Sequence, residues 1–243
     1  MDIPNLDDIW QETLGLDDFD AERLEAAITR NQGPAYGLTL VAHPLRGGLG
    51  LEPRSILEAI AELRPAWEQA LPCSFFPEEI LHFTIYSLRR SRPEPFSPAE
   101  LEELWNWLIF ELQPILEAVS PFSVSLHGLA VTADGAILIG VDDSPLLRRL
   151  RREVEAIPGV SPRRSYPPHV TIGQVLAPCG SAEGFQQAMG YLQDWRDVPV
   201  GELSVPALKL ITYSSRILAT VERAAEFTLG KSSISETTVH KSY

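Results

Sequence analysis

Two short stretches constrain this chain more than any other feature: "LHFTIYSL", from Leu81 to Leu88, and "PPHVTIGQV", from Pro167 to Val175. Each reads as a buried strand that carries a histidine and a threonine two positions apart, first at 82 and 84, then at 169 and 171. Side chains at i and i+2 of a strand share a face about 6.5 to 7 Å apart, so His82 stands beside Thr84 and His169 beside Thr171. Leu81, Phe83 and Ile85, or Val170 and Ile172, take the opposite face and can pack on helices. The polar pair of each strand is then left to face a cleft.

Histidine has an unperturbed pKa of about 6.5 and so gives or takes a proton near neutral pH. Two imidazoles at one phosphate diester can divide the work. One removes a proton from the attacking water, and the other, as imidazolium, protonates the departing ribose oxygen. Threonine hydroxyls can donate hydrogen bonds to the non-bridging phosphate oxygens. This arrangement requires no metal and no cofactor. With only five histidines in 243 residues, a single His-x-Thr is weak evidence. Two of them, each with an apolar middle residue and a following isoleucine, point to one shared site.

The rest of the composition narrows the partner. At 44% apolar and 22% charged residues the chain is an ordinary globular one, long enough to bury a core. No apolar run approaches the roughly 18 residues of a membrane helix, and the opening MDIPNLDDIW is acidic where a secretory signal is basic. A cytoplasmic location is expected. Cys73 and Cys179 lie far apart without a metal-ligand spacing, so they read as buried small hydrophobes. A net charge of −13 argues against gripping an extended duplex nucleic acid, which needs many phosphate contacts. A small nucleotide or short oligonucleotide is compatible with it. Of the cations, 17 are arginines and three are lysines, with Arg89, Arg90 and Arg92 after the first motif and Arg163 and Arg164 before the second. Arginine suits bidentate phosphate contact, although each of these also reads as a solvated loop charge.

Periodicity supplies an α+β order of elements. Residues 1–33 read as a helical extension, 34–230 as the main domain and 231–243 as a loose polar tail. Within the main domain the pattern predicts a strand over 35–42 and an amphipathic helix over about 54–71. A further helix opens on the capping box Ser97-Pro98-Ala99-Glu100. A hairpin follows over Phe122 to Val141, turning at Asp134-Gly135, then helices from Ser144-Pro145 and Gly180-Ser181, and closing strands near 207–213 and 220–229. His43, before Pro44, reads as a loop residue without a catalytic part.

His82-Phe83-Thr84-Ile85 and Pro168-His169-Val170-Thr171-Ile172 resemble the paired motifs of the two-histidine (2H) phosphoesterases, among them RNA 2',3'-cyclic phosphodiesterases and bacterial 2'-5' RNA ligases. The resemblance runs from about Ala35 to Leu229. It implies a bilobal α+β fold in which two antiparallel sheets form a central cleft, with helices on the outer faces and a pseudo-two-fold relating the motifs. It also implies metal-independent hydrolysis of 2',3'-cyclic phosphates or related nucleotide phosphodiesters, with His82, Thr84, His169 and Thr171 as the catalytic set. By the same analogy His169 is the base and His82 the acid. The alternatives are a 3' exonuclease or 2'-5' RNA ligase acting on RNA ends, and a non-catalytic nucleotide-binding module on the same fold.

Four further residues are expected to meet substrate. Tyr86 continues the His82/Thr84 face by one strand step and Tyr166 precedes the second motif, each placed to stack on a base or contact phosphate. Arg164 is a candidate phosphate ligand, and His127 shares a half-buried strand face with Ser123 and Ser125. Packing alone also accounts for each of the four. A monomer is expected.

Overall fold

The computed structural model describes residues 33–43, 46–47, 56–70, 73–132, 135–141, 145–162, 168–175, 194–195, 198–215 and 220–242. The strands are β1 (Pro34–Ala42), β2 (Arg46–Gly47), β3 (Cys73–Phe75), β4 (Phe83–Arg92), β5 (Phe122–Thr132), β6 (Gly135–Val141), β7 (His169–Val175), β8 (Pro199–Val205), β9 (Ala207–Ser215), β10 (Thr220–Thr228) and β11 (Ile234–Ser242). Among the described residues three α-helices are interspersed: α1 (Ile56–Ala70), α2 (Pro98–Glu117) and α3 (Pro145–Glu155). The α+β class read from the sequence therefore holds.

Local chemistry sets these elements where the sequence predicts them. Ser97 Oγ accepts from the Glu100 amide at 3.2 Å and the Glu100 carboxylate accepts from the Ser97 amide at 3.4 Å, so two otherwise orphaned N–H groups at the start of α2 are satisfied. From there Trp105, Leu108, Leu112 and Leu116 recur at helical spacing and are buried. Helix α2 packs on β10 and on α3, α3 packs on β4, and α1 packs on β8, β2 and β3. One core joins helices and sheet, with Trp67, Trp105, Phe83 and Leu108 among its largest fully buried side chains.

The strands run β11-β10-β9-β1-β4-β7-β6-β5-β8-β2, with β3 also on β7. All described pairings are antiparallel. Where two sheets were expected there is one continuous sheet of eleven strands; among the described residues it is joined at the middle by the single register pair Phe83↔Val170 between β4 and β7. The physical reason lies on the outer edge of β7. Beyond Ile172 that edge belongs to the segment preceding β4, because the Phe76 amide donates to the Ile172 carbonyl at 2.8 Å and Cys73 to Phe75 pair with Val175 to Gly173. Contact between β4 and β7 is thus confined to the start of both strands.

The expected loose tail is also corrected: Ile234 to Ser242 form β11 along β10. Its Ile, Thr and Val residues favour extended chain, and its polar composition suits an edge strand. Apart from Gly33 the N-terminal extension lies outside the described residues, as does the helix expected from Gly180 except for Asp194 and Trp195. No helix among the described residues is long and apolar enough to cross a membrane.

One close approach sets the direction of the second motif. The Gly140 amide of β6 donates to the Pro168 carbonyl at 2.6 Å, and a Cβ at Gly140 would lie 2.7 Å from the Pro168 ring and 2.8 Å from Val124. Replacing this glycine must push either the core or the segment entering His169. Gly140→Ala is expected to destabilise the fold by about 1–3 kcal/mol in denaturant unfolding; an unchanged midpoint would contradict this packing.

Candidate active site

The pair Phe83↔Val170 joins the middle residues of the two His-x-Thr motifs. Both side chains are fully buried on the helix side of the sheet. His82 lies one residue ahead of β4 and His169 opens β7; extended by one residue each way, the register of this pair would set His82 opposite Thr171 and Thr84 opposite His169 on the other face. These four are the partly exposed residues flanking the buried pair. Diagonal neighbours across two such strands lie about 7–8 Å apart, a gap of the size that one phosphate can span.

His82 is held by the turn that precedes it. The 3-10 turn Glu78–Ile80 ends in carbonyls pointed back at the sheet, and His82 Nδ1 lies 2.8 Å from the Ile80 oxygen. A carbonyl only accepts, so Nδ1 carries the proton and Nε2 keeps its lone pair. Burial of the ring pushes the His82 pKa down to about 4; the bond to Ile80 opposes this, and the nearby His43 adds to it. At neutral pH His82 is therefore a neutral imidazole whose Nε2 is ready to accept a proton.

His43, read from the sequence as a loop residue, belongs to this neighbourhood. Ala42 pairs with Phe83 at the end of β1, so the next residue, His43, comes opposite His82. Its Nε2 donates to the Glu79 carbonyl at 2.8 Å, which makes adjacent carbonyls of one turn the anchors of two histidines. Burial lowers the His43 pKa, the bond to Glu79 opposes it, and the charge of Lys209 lowers it further. Lys209 arrives by the same logic of register: Val41 pairs with both Thr84 and Lys209, and Lys209 forms an ion pair with Glu226 of β10 at 3.4 Å. Periodicity along the chain cannot find either residue. The signal is the pairing of β1 with β4 and β9, a non-local fact.

Tyr86 does not extend the site. The register shifts between Leu40↔Tyr86 and Val41↔Thr84, a bulge that places two residues of β4 opposite one of β1. The extra residue turns Tyr86 to the helix side, where it is 1% exposed and its hydroxyl donates to the Ser161 carbonyl at 3.1 Å. Carbonyls around the bulge find other partners: Arg151 Nε donates to Ile85 O at 3.0 Å and Thr39 Oγ1 to Tyr86 O at 3.0 Å. His127 is on the site face, since Ile139 pairs with both His127 and His169, but the Ile139 side chain stands between the two rings. Arg164 and Tyr166 lie outside the described residues. Among the described residues no group of three or more His, Cys, Asp or Glu side chains is placed to hold a metal ion.

Known proteins share parts of this pattern. Among solved structures the chain is similar to E. coli LigT in its apo form, at 16% identity over 86% of this chain and 97% of that one, with a TM-score of 0.43. The LigT complex with 3'-AMP gives 15% identity, 85% and 96% coverage and a TM-score of 0.42. A protein of Thermus thermophilus, TT0787, gives 18% identity, 84% and 96% coverage and a TM-score of 0.46. No curated protein matches the sequence. The family model of the 2'-5' RNA ligase superfamily matches residues 52–216, a span that holds both His-x-Thr motifs and more than half of the sequence. The chain belongs to the 2'-5' RNA ligase superfamily, the two-histidine phosphoesterases.

Proposed function

We propose that the protein is a metal-independent phosphodiesterase that opens 2',3'-cyclic phosphates of small nucleotides, or closely related nucleotide phosphodiesters. The observation that carries this reading is the Phe83↔Val170 pair, which sets both His-x-Thr motifs around one point. In this account the two halves of the sheet act as lobes of a cleft, with a pseudo-two-fold passing through that pair.

The roles of the two histidines follow from the state of His82, and they reverse those implied by the resemblance. With Nδ1–H committed to Ile80, Nε2 is the base that takes a proton from water as the water oxygen attacks phosphorus. The bond from phosphorus to the ribose 3' oxygen breaks, and imidazolium His169 gives its proton to that oxygen, leaving a 2'-phosphate. Thr84 and Thr171 donate to the non-bridging oxygens as charge builds on them. The net charge of −13 favours a small cytoplasmic nucleotide substrate over a long RNA, which ranks RNA-end exonuclease or ligase activity second.

With chelator present, the wild-type protein is expected to hydrolyse a 2',3'-cyclic nucleotide. His82→Ala and His169→Ala are each expected to lower the rate about 10²- to 10⁴-fold, and Thr84→Ala and Thr171→Ala about 10²- to 10³-fold. Turnover that needs an added divalent metal, or that is equal in wild type and the histidine variants, would remove the proposal; binding without turnover would leave a nucleotide-binding module.

The pH profile separates the two assignments. kcat/KM reports the free enzyme, so with His82 as base it should hold at low pH and fall only as pH drops through about 4. If His82 were the acid, activity would instead be lost as pH rises above that value.

A further inference from the structure

We infer that a cavity on the helix side of the sheet binds an organic monophosphate carrying a planar ring, of the class of a nucleoside monophosphate. The cavity, of about 570 Å³, opens between the end of β4, the first turns of α2 and the turn that follows α3. Arg89 pairs with the core residue Leu38 of β1 and so stands on the helix side, seven residues and at most about 23 Å along the strand from His82. This inference therefore stands independently of the catalytic reading.

The charge in the cavity points to an anion. Three arginines, Arg89, Arg90 and Arg92, meet two glutamates, Glu100 and Glu103, a positive balance in a protein of net charge −13. Arg92 is already engaged: it grips Glu100 through two nitrogens at 3.0 and 2.8 Å and lies 3.8 Å over the Phe96 ring. Arg89 is not. Its guanidinium lies 5.8 Å from the Trp107 ring centroid, and its buried Nε has no hydrogen-bond partner. A buried N–H without an acceptor is costly, and an oxyanion that reaches it relieves that cost. Exposed Arg90 lies on the same wall.

The shape points to a small molecule with a ring. Leu104, Trp107 and Pro158 line the same space, so an apolar body can lie against them while its phosphate meets Arg89 and Arg90. Gly159, at φ +88°, makes the close turn there; a Cβ at that position would lie 3.7 Å from both the Arg89 guanidinium and the Trp107 ring. The turn is pinned by Ser161, whose amide donates to the Leu88 carbonyl at 3.0 Å. The wall of the cavity is thus fixed at both ends before any ligand arrives.

The probe is 5'-AMP, which has no cyclic phosphate or diester to hydrolyse, titrated into 15N-labelled protein beside inorganic phosphate and adenosine. The Trp107 indole N–H signal, assigned by its loss in Trp107→Phe, is the readout. Saturable movement of that signal by 5'-AMP is expected in wild type and equally in the His82→Ala/His169→Ala protein, with weaker binding of adenosine and phosphate alone. Arg89→Ala/Arg90→Ala should weaken binding about tenfold or more while leaving cyclic-phosphate hydrolysis at the wild-type rate. If that variant does not fold, exposed Arg90→Ala decides, with severalfold weaker binding expected. A Trp107 signal that stays still at millimolar 5'-AMP, or an affinity unchanged by the arginine substitutions, would overturn the inference.

Discussion

Phe83 and Val170 face each other across the one register pair that, among the described residues, joins the two halves of the sheet. Both are apolar and fully buried, so the core that stabilises the fold also fixes how β4 and β7 meet. Because side chains alternate along a strand, burying the middle residue of each motif turns the flanking histidine and threonine outward. Continued by one residue, the same antiparallel pairing would bring each histidine across from the other motif's threonine. The site is in this sense a by-product of core packing: any slip of that pair by one residue would exchange buried and outward side chains in one motif.

The surroundings of His82 show how backbone alone can set a protonation state. Its turn offers two neighbouring carbonyls, one to His82 and one to His43, and carbonyl acceptors dictate which nitrogen keeps the proton. Burial then disfavours the charged ring, with the second histidine adding to the effect. The result is a pair of neutral imidazoles with fixed tautomers on the same side of the sheet as the threonines. An arriving phosphate anion favours proton uptake by the rings it approaches, which suits a base that must accept a proton only when substrate is present.

Much of the local structure was legible. The capping box at Ser97, the helical stripe of α2, the hairpin over β5 and β6 and the strand that opens on His169 rest on short-range patterns and appear where those patterns place them, while the first motif's strand starts at Phe83, one residue after His82. The misreadings have other causes. Tyr86 follows regular alternation in the sequence, but a bulge against β1 shifts its side by one residue, and nothing within β4 itself announces it. His43 is the loop residue that the sequence suggests, one past the end of β1; what its local sequence does not show is its nearness to His82, which follows from the register of β1 on β4. The polar tail gains strand structure by pairing along the edge of β10, with Ile234 packed against the core. For Tyr86 and His43 the deciding interaction joins residues far apart in the chain, whereas β11 pairs with the strand just before it.

The central claim is that both imidazoles address one phosphorus atom, and the most direct measurement is side-chain 15N NMR of the histidines during titration with orthovanadate, a mimic of the five-coordinate phosphoryl transition state. The account predicts that the His82 and His169 ring nitrogens shift together and saturate at one equivalent, and that Thr84→Ala weakens both responses alike. Movement of only one ring, or saturation of the two rings at separate concentrations, would contradict it.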